Sequence, residues 1–593
     1  MRTLLKIITF IAFVNIVNYA GIITVGESGY DYDKIKDAVS AAHAGDTILV
    51  HQKNQPYYEL VRFIRSGNEN DGYITLMAYP GEKPVIDATG ISTGTDWIVG
   101  IVKIINKSYI RIEGFEIRNM ITSNTDKFPA GIWVRGNSHH IEIKNNDIHH
   151  IEHNHKDGGA HGIAVYGTSP SVSINNILIE GNEVHHCKLA WSESVVLNGN
   201  VENFIVANNI VHDNNNIAFD FIGFEGTCSD PNLDQARNGL VTGNIAYNID
   251  SRTNPSYEGD GSADGIYVDG GKDIIIEKNL VYNCNIGVEL ASEHSNGFTS
   301  GIILRNNLIR NNHAIGIAIG GYNSQRGQTY DCIIVNNTLY KNRHTDFDWG
   351  GEIYIQYYCS NNTIKNNIIY SQSNVPLIDY YNSTGADFHI DHNLFYSEGN
   401  KVWVWKGSQF NDFTAYKNNS GNDTNSIIGN PMLVDVGNNN PALSENSPAI
   451  DSGENLDSSI VGMHDYFGAE RVAGASIDIG AVEYGAPTGI GENNLSVPKE
   501  FELYNPFPNP FNPSVNIGFS MAQNFLGKKA SLKIYNLNGE VVAKLFDGTV
   551  SKKKYVFFWK GKSLNGQSVP SGVYFVSLKV DRKTKYKKII YLK

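Results

Sequence analysis

The amino-acid sequence predicts an all-β chain, a right-handed parallel β-helix followed by a C-terminal immunoglobulin-like β-sandwich. Three observations lead to this prediction: an Asn-containing turn that recurs every 26 to 36 residues, an alternating apolar run between the turns, and a C-terminal segment with its own strand and turn pattern. Glycine is abundant, with 58 of 593 residues, and Asn, Ile, Val and Tyr recur, which favours strands and turns over helices.

The first 20 residues predict a secretory signal peptide. Arg2 and Lys6 precede an apolar run over residues 7–17, and the small residue Ala20 follows. The run is shorter than the roughly 20 residues that a membrane-spanning helix needs. Residues 21–90 then predict an N-terminal cap, because helical spacing over 32–42 is followed by a Gly45-Asp46 turn and by strands. A solenoid needs such a cap to cover the apolar end of its first coil.

The repeat is carried by pairs of residues in which the second residue is always Asn. The pairs are Asn145-Asn146, Gly181-Asn182, Asn208-Asn209, Gly243-Asn244, Lys278-Asn279, Asn306-Asn307, Asn336-Asn337, Asn366-Asn367 and His392-Asn393. Variable spacing around a fixed core is typical of coils whose turns carry insertions. We expect the second Asn residues to stack and to form a hydrogen-bonded ladder from coil to coil.

A second set of runs lies between the Asn turns. The runs are GIWVRG (131–136), GIAVYG (162–167), SVVLNG (194–199), AFDFIG (218–223), GIYVDG (265–270), GVELAS (287–292), GIAIGG (316–321) and EIYIQY (352–357). The second and fourth positions are aliphatic or Phe, which predicts that they face a stacked interior and that the third and fifth positions face outward. Only 22 residues separate Gly265 from Gly287, which leaves no room for a helix in the coil. Parallel crossovers are right-handed, which gives the handedness.

The Asn-turn coils, together with AGDTILV (44–50) and YPGEKPVID (79–87), resemble the pectin-lyase-like β-helix superfamily over about residues 21–485. The resemblance implies a secreted carbohydrate-active protein, since members of that superfamily are mostly polysaccharide lyases, glycoside hydrolases and epimerases. SPAIDSG (447–453) and IDIGAVEYG (477–485) resemble the closing element of secreted bacterial β-helix proteins, so about 400–485 is expected to cap the last coil.

A polar linker over residues 486–500 leads to a different module over 501–593. YNPFPNPFNPS (504–514), NLNGEVV (536–542) and SGVYF (571–575) stand in the order that resembles a type IX secretion C-terminal sorting domain. The resemblance implies the type IX secretion machinery as a partner, export through the periplasm and outer membrane, and release or attachment at the cell surface. Alternating strands and Asn-Gly turns indicate a β-sandwich.

The net charge and the cysteine content argue against a nucleic-acid partner and against a disulfide framework. The net charge is −13; residues 501–593 carry 16 Lys+Arg against 4 Asp+Glu, which is +12, so the remainder carries −25. An acidic body argues against a nucleic-acid partner. Five dispersed cysteines predict no disulfide framework. We expect a monomer.

Carboxylates occupy outward positions on three consecutive coils, at Asp220, Asp269 and Glu289. Strand spacing predicts backbone separations of about 8 Å for Asp269 from each of the other two and about 9.6 Å between Asp220 and Glu289. These separations suit a general acid and a general base around a sugar, with the stereochemical outcome left open. With Asp264 at the edge of the same face, these four are the predicted catalytic residues of a polysaccharide-cleaving glycoside hydrolase.

Further residues around this face are predicted to bind the substrate. Four aromatic side chains are placed to stack on sugar rings, and three polar ones line the edges. The aromatic residues are Trp133, Tyr166, Tyr267 and Tyr322, and the polar residues are Glu225, Glu293 and His294. The span Phe224–Asp264 is interpreted as a long insertion that walls a cleft.

Two other functions remain open. A calcium-assisted polysaccharide (pectate-type) lyase would use hard oxygen ligands from Asp260, Asp264, Asp269 and Asp273, with Lys272 or Arg237 as the base. No motif here matches a lyase active site. The other alternative is a non-catalytic glycan-binding surface protein. For the hydrolase we expect no metal or other cofactor, and calcium enters only with the lyase alternative.

The His-rich stretch over 149–162 offers ligands for a transition metal. However, His149, His185 and His212 hold the same place after successive Asn turns, which predicts a stacked ladder of rings rather than a metal site.

Overall fold

The computed structural model describes residues 20–92, 94–344, 347–486 and, between 501 and 591, all but several short gaps. The predicted signal peptide and linker lie almost wholly outside these residues. The chain divides into two compact units, one ending near residue 486 and one made of the C-terminal residues.

The first unit is a β-helix whose coils each place strands in three long parallel sheets. Sheet I contains Ile22–Val25, Thr47–Val50, Ile74–Ala78, Ile110–Glu113, His139–Lys144, Ile174–Glu180, Val201–Ala207, Ala236–Thr242, Lys272–Glu277, Ile303–Arg305, Ile333–Val335, Thr363–Lys365 and His389–Asp391, with Phe298–Ser300, Gln328–Tyr330 and Cys359–Ser360 alongside. Sheet II contains Val85–Asp87, Glu116–Thr122, Asp147–His153, Glu183–His185, Ile210–His212, Ile245–Tyr247, Leu280–Tyr282, Leu308–Arg310, Thr338–Tyr340, Ile368–Ser371, Leu394–Ser397 and Ile427–Ile428. Sheet III contains Val61–Arg62, Ile98–Ile105, Phe128–Arg135, His161–Gly167, Val195–Gly199, Phe219–Ile222, Asp264–Asp269, Ile286–Ala291, Ile315–Ile319, Ile353–Ile355, Pro376–Tyr380, Val402–Trp405 and the antiparallel Ser408–Phe410.

The Asn pairs build the turn between sheets I and II. The first residue of each pair has a positive φ, as at Asn145 (54°) and Gly181 (68°), a conformation that Gly and Asn adopt more readily than other residues. The second Asn is buried and bonds to its equivalent in the next coil; for example, Asn182 Nδ2 donates to Asn209 Oδ1 at 3.0 Å. Similar bonds join every rung from Asn146 to Asn393, which confirms the predicted ladder.

Both ends of the β-helix are covered. At the N-terminal end the helix Ile35–Ala41 buries Ile35, Ala38 and Val39, and the Glu59 carboxylate accepts the Ile35 N–H at 2.9 Å. At the other end the helix Phe413–Ser420, capped by Asp412, places Tyr416 on the ring of Trp403. Short elements follow at Leu433–Asp435, Val436–Asn438, Asn440–Leu443 and Ser458–Val461.

A ring ladder runs along the outer side of sheet II. His149, His185 and His212 stack at 4.9 and 5.1 Å between ring centroids, and Tyr247 continues the stack at 4.7 Å. The predicted ladder is therefore confirmed. All five cysteines are buried and unpaired, as their dispersion predicts.

The described residues of the C-terminal unit form seven strands in two antiparallel sheets. One sheet holds Phe501–Leu503, Val515–Met521 and Lys554–Trp559, and the other holds Val541–Thr549, Lys529–Tyr535, Gly572–Val580 and Lys583–Tyr591. Alternate residues of Lys529–Tyr535 are buried, as expected for a strand with one face in a core. Among the described residues, no helix combines the length and apolarity needed to cross a bilayer.

Candidate active site

The carboxylates come together on the outer side of sheet III. Tyr267 is the Cα partner of both Asp220 and Glu289, so these two acids lie in one column on either side of the Tyr267 strand. Asp269 is on that middle strand, two residues after Tyr267, and Asp264 begins it. The interior positions are as predicted, because Ile266 and Val288 are buried in the main core.

The outward positions are not a solvent-exposed face. Asp220, Tyr267 and Asp269 are only 2%, 4% and 7% exposed. Small apolar clusters outside the coil interior cover part of this surface; one of them joins Ile217, Tyr267 and Ala291. Alternation along a strand predicts which side chains leave the coil interior, but it contains no information about which loops cover them.

The span Phe224–Asp264 is not a single insertion. It contains the strands Ala236–Thr242 and Ile245–Tyr247 of sheets I and II, so it is one complete coil with two loops, 223–235 and 248–263. The interpretation as one insertion was wrong because it compared only the sequence positions of two successive sheet III runs. The strands of sheets I and II between those runs were therefore counted as part of the insertion. The two loops leave opposite ends of sheet III strands and form two walls around the carboxylates.

Loop 248–263, which precedes the strand Asp264–Asp269, forms the first wall and is anchored to earlier coils. Asn254 Nδ2 donates to the carbonyl oxygens of Ala190 and Asn215 at 2.7 and 3.0 Å. Trp191, half exposed, packs against Tyr257 of the same loop with ring centroids 5.1 Å apart. This wall is therefore held by hydrogen bonds to the scaffold and presents an aromatic edge to solvent.

Loop 223–235 forms the opposite wall, and hydrogen bonds of Asp234 and Gln235 hold it in place. Asp234 accepts the backbone N–H groups of Gly226 and Cys228 at 2.7 and 2.8 Å, which fixes the loop. Gln235 Nε2 donates to the Gly270 carbonyl oxygen at 2.9 Å, directly beyond Asp269. The loop is thus tied to the strand that carries the central carboxylate.

The carboxylates have few hydrogen-bond partners. Glu289 accepts from Gln356 Nε2 at 2.7 Å, and Asp269 accepts the Glu293 N–H at 2.7 Å. The Oδ1 atoms of Asp220 and Asp264 are buried and have no hydrogen-bond partner. A buried charged oxygen without a partner is costly, so these atoms favour protonation or a polar ligand.

Burial dominates the titration of this cluster. It raises the pKa of Asp220, Asp264 and Asp269 well above the usual value, and the neighbouring carboxylates raise it further. Burial likewise raises the pKa of Glu289 to about 7, although the hydrogen bond from Gln356 opposes it. Buried acids with raised pKa values keep protonated members, which can donate protons, near neutral pH.

Two buried groups of this site were missed from the sequence. Burial raises the pKa of Glu193 well above its usual value, and Glu225 adds to that effect. His161, 1% exposed, places Nδ1 3.0 Å from the Glu193 carbonyl oxygen, and burial lowers its pKa to about 4. The sequence signal that could have identified both residues is their position, because each directly precedes an apolar sheet III run.

The predicted substrate-binding residues divide into buried and accessible groups. Trp133 is buried and lies 5.4 Å from the ring of Tyr166, so both belong to the packed surface beside the carboxylates. Tyr322 is 43% exposed under the Arg326 guanidinium. Glu225, which accepts from Asn198 Nδ2, is exposed at the rim.

Glu293 and His294 lie at the same rim, directly after the strand Ile286–Ala291. Glu293 is exposed and His294 is half-buried. The Arg326 guanidinium donates to the Glu293 carbonyl oxygen at 2.9 Å, which ties this rim to the next coil. With Tyr322, these residues place polar and aromatic groups at the accessible edge of the carboxylate cluster.

The four acids considered for calcium do not converge. Asp264 and Asp269 belong to the cluster, but Asp273 is in sheet I, with its carboxylate 3.9 Å from Lys272 Nζ, and Asp260 is an exposed loop residue. The two bases considered for a lyase are also in sheet I, where Arg237 donates to Asn200 Oδ1 at 2.9 Å. The predicted ligands and bases are therefore divided between two sheets, because residues that are near in sequence lie on either side of a turn.

The family is shown by comparison with known proteins. A protein-family model described as right handed beta helix region matches residues 100–330 and 258–420. A second family model, described as secretion system C-terminal sorting domain, matches residues 505–592. The chain therefore belongs to the right-handed β-helix family and carries a type IX sorting domain. Proteins with this domain are exported to the cell surface or beyond it, and this is the location of the protein.

Among individual proteins, the uncharacterized protein YwoF of Bacillus subtilis (strain 168) is 38% identical over 416 residues, which span 70% of this chain and 86% of YwoF. An alginate lyase from Paenibacillus sp. str. FPU-7 is 12% identical over 57% of this chain and 99% of its own, with a TM-score of 0.33. The Streptococcus pneumoniae surface protein and adhesin PfbA is 13% identical over 66% of this chain and 94% of its own, with a TM-score of 0.41.

Proposed function

We propose that the protein is a secreted glycoside hydrolase that cleaves a polysaccharide in the cleft over sheet III. The observation that carries the proposal is the buried set Asp220, Asp264, Asp269 and Glu289, in which burial raises the pKa of every member and so keeps protonated carboxyl groups close to one another near neutral pH. Hydrolysis of a glycosidic bond requires a protonated carboxyl group as general acid and a second carboxyl group near it.

The roles are assigned by environment. Glu289, with a pKa of about 7 and a hydrogen bond from Gln356, is the proposed general acid. Asp269, oriented by the Glu293 N–H, is the proposed partner carboxylate. The free Oδ1 atoms of Asp220 and Asp264 accept hydrogen bonds from substrate hydroxyl groups. Aromatic groups at the rim, such as Trp191 and Tyr322, stack on sugar rings outside the cleavage point.

The charge of the site favours a neutral or cationic glycan over a polyuronate. Among the described residues, none of the four carboxyl groups forms an ion pair with Lys or Arg, so an anionic sugar would meet no neutralising cation paired with these acids unless one accompanied it. A calcium-assisted lyase is the second candidate, because the unpartnered Oδ1 atoms of Asp220 and Asp264 are hard oxygen ligands.

The test is a screen of neutral, amino-sugar and uronate polysaccharides with analysis of the products. New reducing ends without unsaturated sugars, in the presence of EDTA, support the hydrolase. Products that absorb in the ultraviolet as unsaturated uronates, formed only with calcium, replace it with the lyase. Saturable binding of a glycan without cleavage would make the protein a glycan-binding surface protein.

A further inference from the structure

Two carboxylates and an imidazole, which are side chains of metal-ligating types, lie close together on sheet II, away from the carboxylates of sheet III. Parallel pairing places Glu116 beside Asp147 and Arg118 beside His149 on neighbouring strands. One ligand atom each of Glu116, Asp147 and His149 lies within 4.8 Å of the other two. We propose that these three side chains bind a divalent transition-metal ion of the zinc type, independently of the proposed hydrolase activity.

The distances suit such an ion better than they suit a direct contact. His149 Nε2 is 3.4 Å from Glu116 Oε1, which is longer than an ordinary N–H···O hydrogen bond. Two ligands of a tetrahedral zinc ion, each about 2.1 Å from the metal, are about 3.4 Å apart. Imidazole nitrogen and carboxylate oxygen are both common zinc ligands.

The imidazole is held in the orientation that a metal ligand needs. The His149 ring stacks on His185 at 4.9 Å, and its Nδ1 lies 2.6 Å from Nδ1 of His150. Only one of two facing nitrogens carries the proton. When His149 Nδ1 donates, its Nε2 lone pair is directed towards the two carboxylates. An outer hydrogen bond on the opposite ring nitrogen is typical of metal-bound histidine.

The carboxylates are also oriented by neighbours. His185 Nε2 lies 2.9 Å from Asp147 Oδ1, and the Arg118 guanidinium contacts Glu116 Oε1, the oxygen that also faces His149 Nε2. The Lys83 ammonium contacts Asp147 from the N-terminal cap. The Lys83 side chain is 53% exposed, whereas the three ligands are between 13% and 18% exposed. Lys83 can therefore withdraw into solvent and leave its place to an ion that enters from the surface.

The next rungs show why this position is special. At His212 the Nε2 atom is 3.1 Å from Glu183 Oε1, within hydrogen-bond range, and the Cα partner of Glu183 on that strand is Ile210. At the His212 rung, the apolar Ile210 therefore takes the place that Asp147 holds at the His149 rung. Within the described part of the histidine ladder, only the rung at His149 combines two acids with an imidazole that is not hydrogen bonded to them.

The test uses the full chain after export, stripped with EDTA and titrated with Zn²⁺ by calorimetry, with bound metal counted by elemental analysis. We expect one tight ion per chain, with no competition from millimolar Ca²⁺. His149→Tyr is the principal variant, because Tyr247 and Tyr282 hold the same register and stack at 5.1 Å. It is expected to weaken Zn²⁺ binding about 100-fold and Asp147→Asn about 10-fold.

Lys83→Met is expected to change the affinity for Zn²⁺ in the opposite direction. Removal of the competing ammonium is expected to tighten Zn²⁺ binding several-fold, which a purely structural ion pair would not do. The matched control is His139→Tyr, since His139 and His140 form a similar pair on sheet I, with Nδ1 atoms 2.9 Å apart. Absence of saturable Zn²⁺ binding, undiminished binding by His149→Tyr, or unchanged binding by Lys83→Met would each overturn the proposal. If His149→Tyr fails to fold, Asp147→Asn and Lys83→Met still decide it.

Discussion

Individual carboxyl groups in the cleft combine burial with very few partners. Glu352, a buried acid elsewhere in the β-helix, accepts from the backbone and side-chain nitrogens of Asn342 at 2.9 and 2.6 Å. Asp220 and Asp264 keep a free buried oxygen instead. A free polar atom in a packed surface costs stability, so its presence beside the other acids points to a ligand rather than to folding.

Asp269→Asn and Glu289→Gln are each expected to lower the rate of glycan cleavage on the order of 100-fold or more, because each removes one partner of the proton transfer. The rate is measured as reducing ends released from the substrate found in the screen. Asp273→Asn is the matched control, since that carboxylate is half exposed in sheet I. Full activity of both cleft variants would refute the assignment of these two residues.

Glu289 also makes stability depend on pH. Its pKa rises from 4.5 to about 7 on folding, so the folded state holds a proton that the unfolded chain releases. This contribution is complete below about pH 4.5 and is lost as the pH rises through about 7. Thermal unfolding at pH 4.5, 6 and 7.5 should show a smaller decrease in midpoint for Glu289→Gln than for the parent chain. Equal decreases would show that Glu289 has an ordinary pKa.

At the scale of the structural element, the Asn turn does two things at once. Its first residue adopts the left-handed conformation that turns the chain, and its second residue bonds to the coils on either side. Asn244 accepts from Asn209 N and Nδ2 at 2.9 and 3.0 Å and donates to Val206 O and Asn279 Oδ1 at 2.9 and 3.1 Å. The ladder therefore fixes the register between coils.

Asn244→Ala is expected to lower the free energy of unfolding by about 2–4 kcal/mol, because it leaves several buried groups on neighbouring coils without partners. Chemical denaturation followed by circular dichroism measures the change. Asn232→Ala, at an exposed loop position, is the matched control and should differ from the parent by less than about 0.5 kcal/mol. A loss at Asn244 no larger than that at Asn232 would mean that the ladder contributes no stability.

The same elements explain what the sequence could predict. The alternation in GIYVDG and GVELAS was sufficient to place Asp269 and Glu289 outside the coil interior, because side-chain direction in a strand follows directly from the period of two. Their burial was not predictable, since it depends on loops 223–235 and 248–263, whose paths are set by single hydrogen bonds such as that from Asn254. Glu193 and His161 were missed because they precede the regular part of their strands.

At the scale of the whole molecule, the chain separates the sorting domain from the proposed site. The C-terminal sandwich has a net charge of +12 over residues 501–593, and the remainder of the chain has −25. The core of the sandwich is also a separate hydrophobic cluster, which includes Leu532, Val576 and Leu578. Each unit therefore has its own hydrophobic core, and the four acids of the proposed site all belong to the first unit.

Truncation after residue 486 is accordingly expected to stop export without affecting the β-helix. In a host with type IX secretion, the truncated chain should accumulate in the periplasm, whereas the full chain reaches the surface or medium. The purified truncated chain should keep the unfolding midpoint of the β-helix transition and its rate of glycan cleavage, since its core and both caps lie before residue 487. The matched control is a fusion of residues 487–593 to a periplasmic reporter protein, which should then be exported. Surface delivery of the truncated chain, or retention of the reporter, would show that the export signal is not confined to the C-terminal unit.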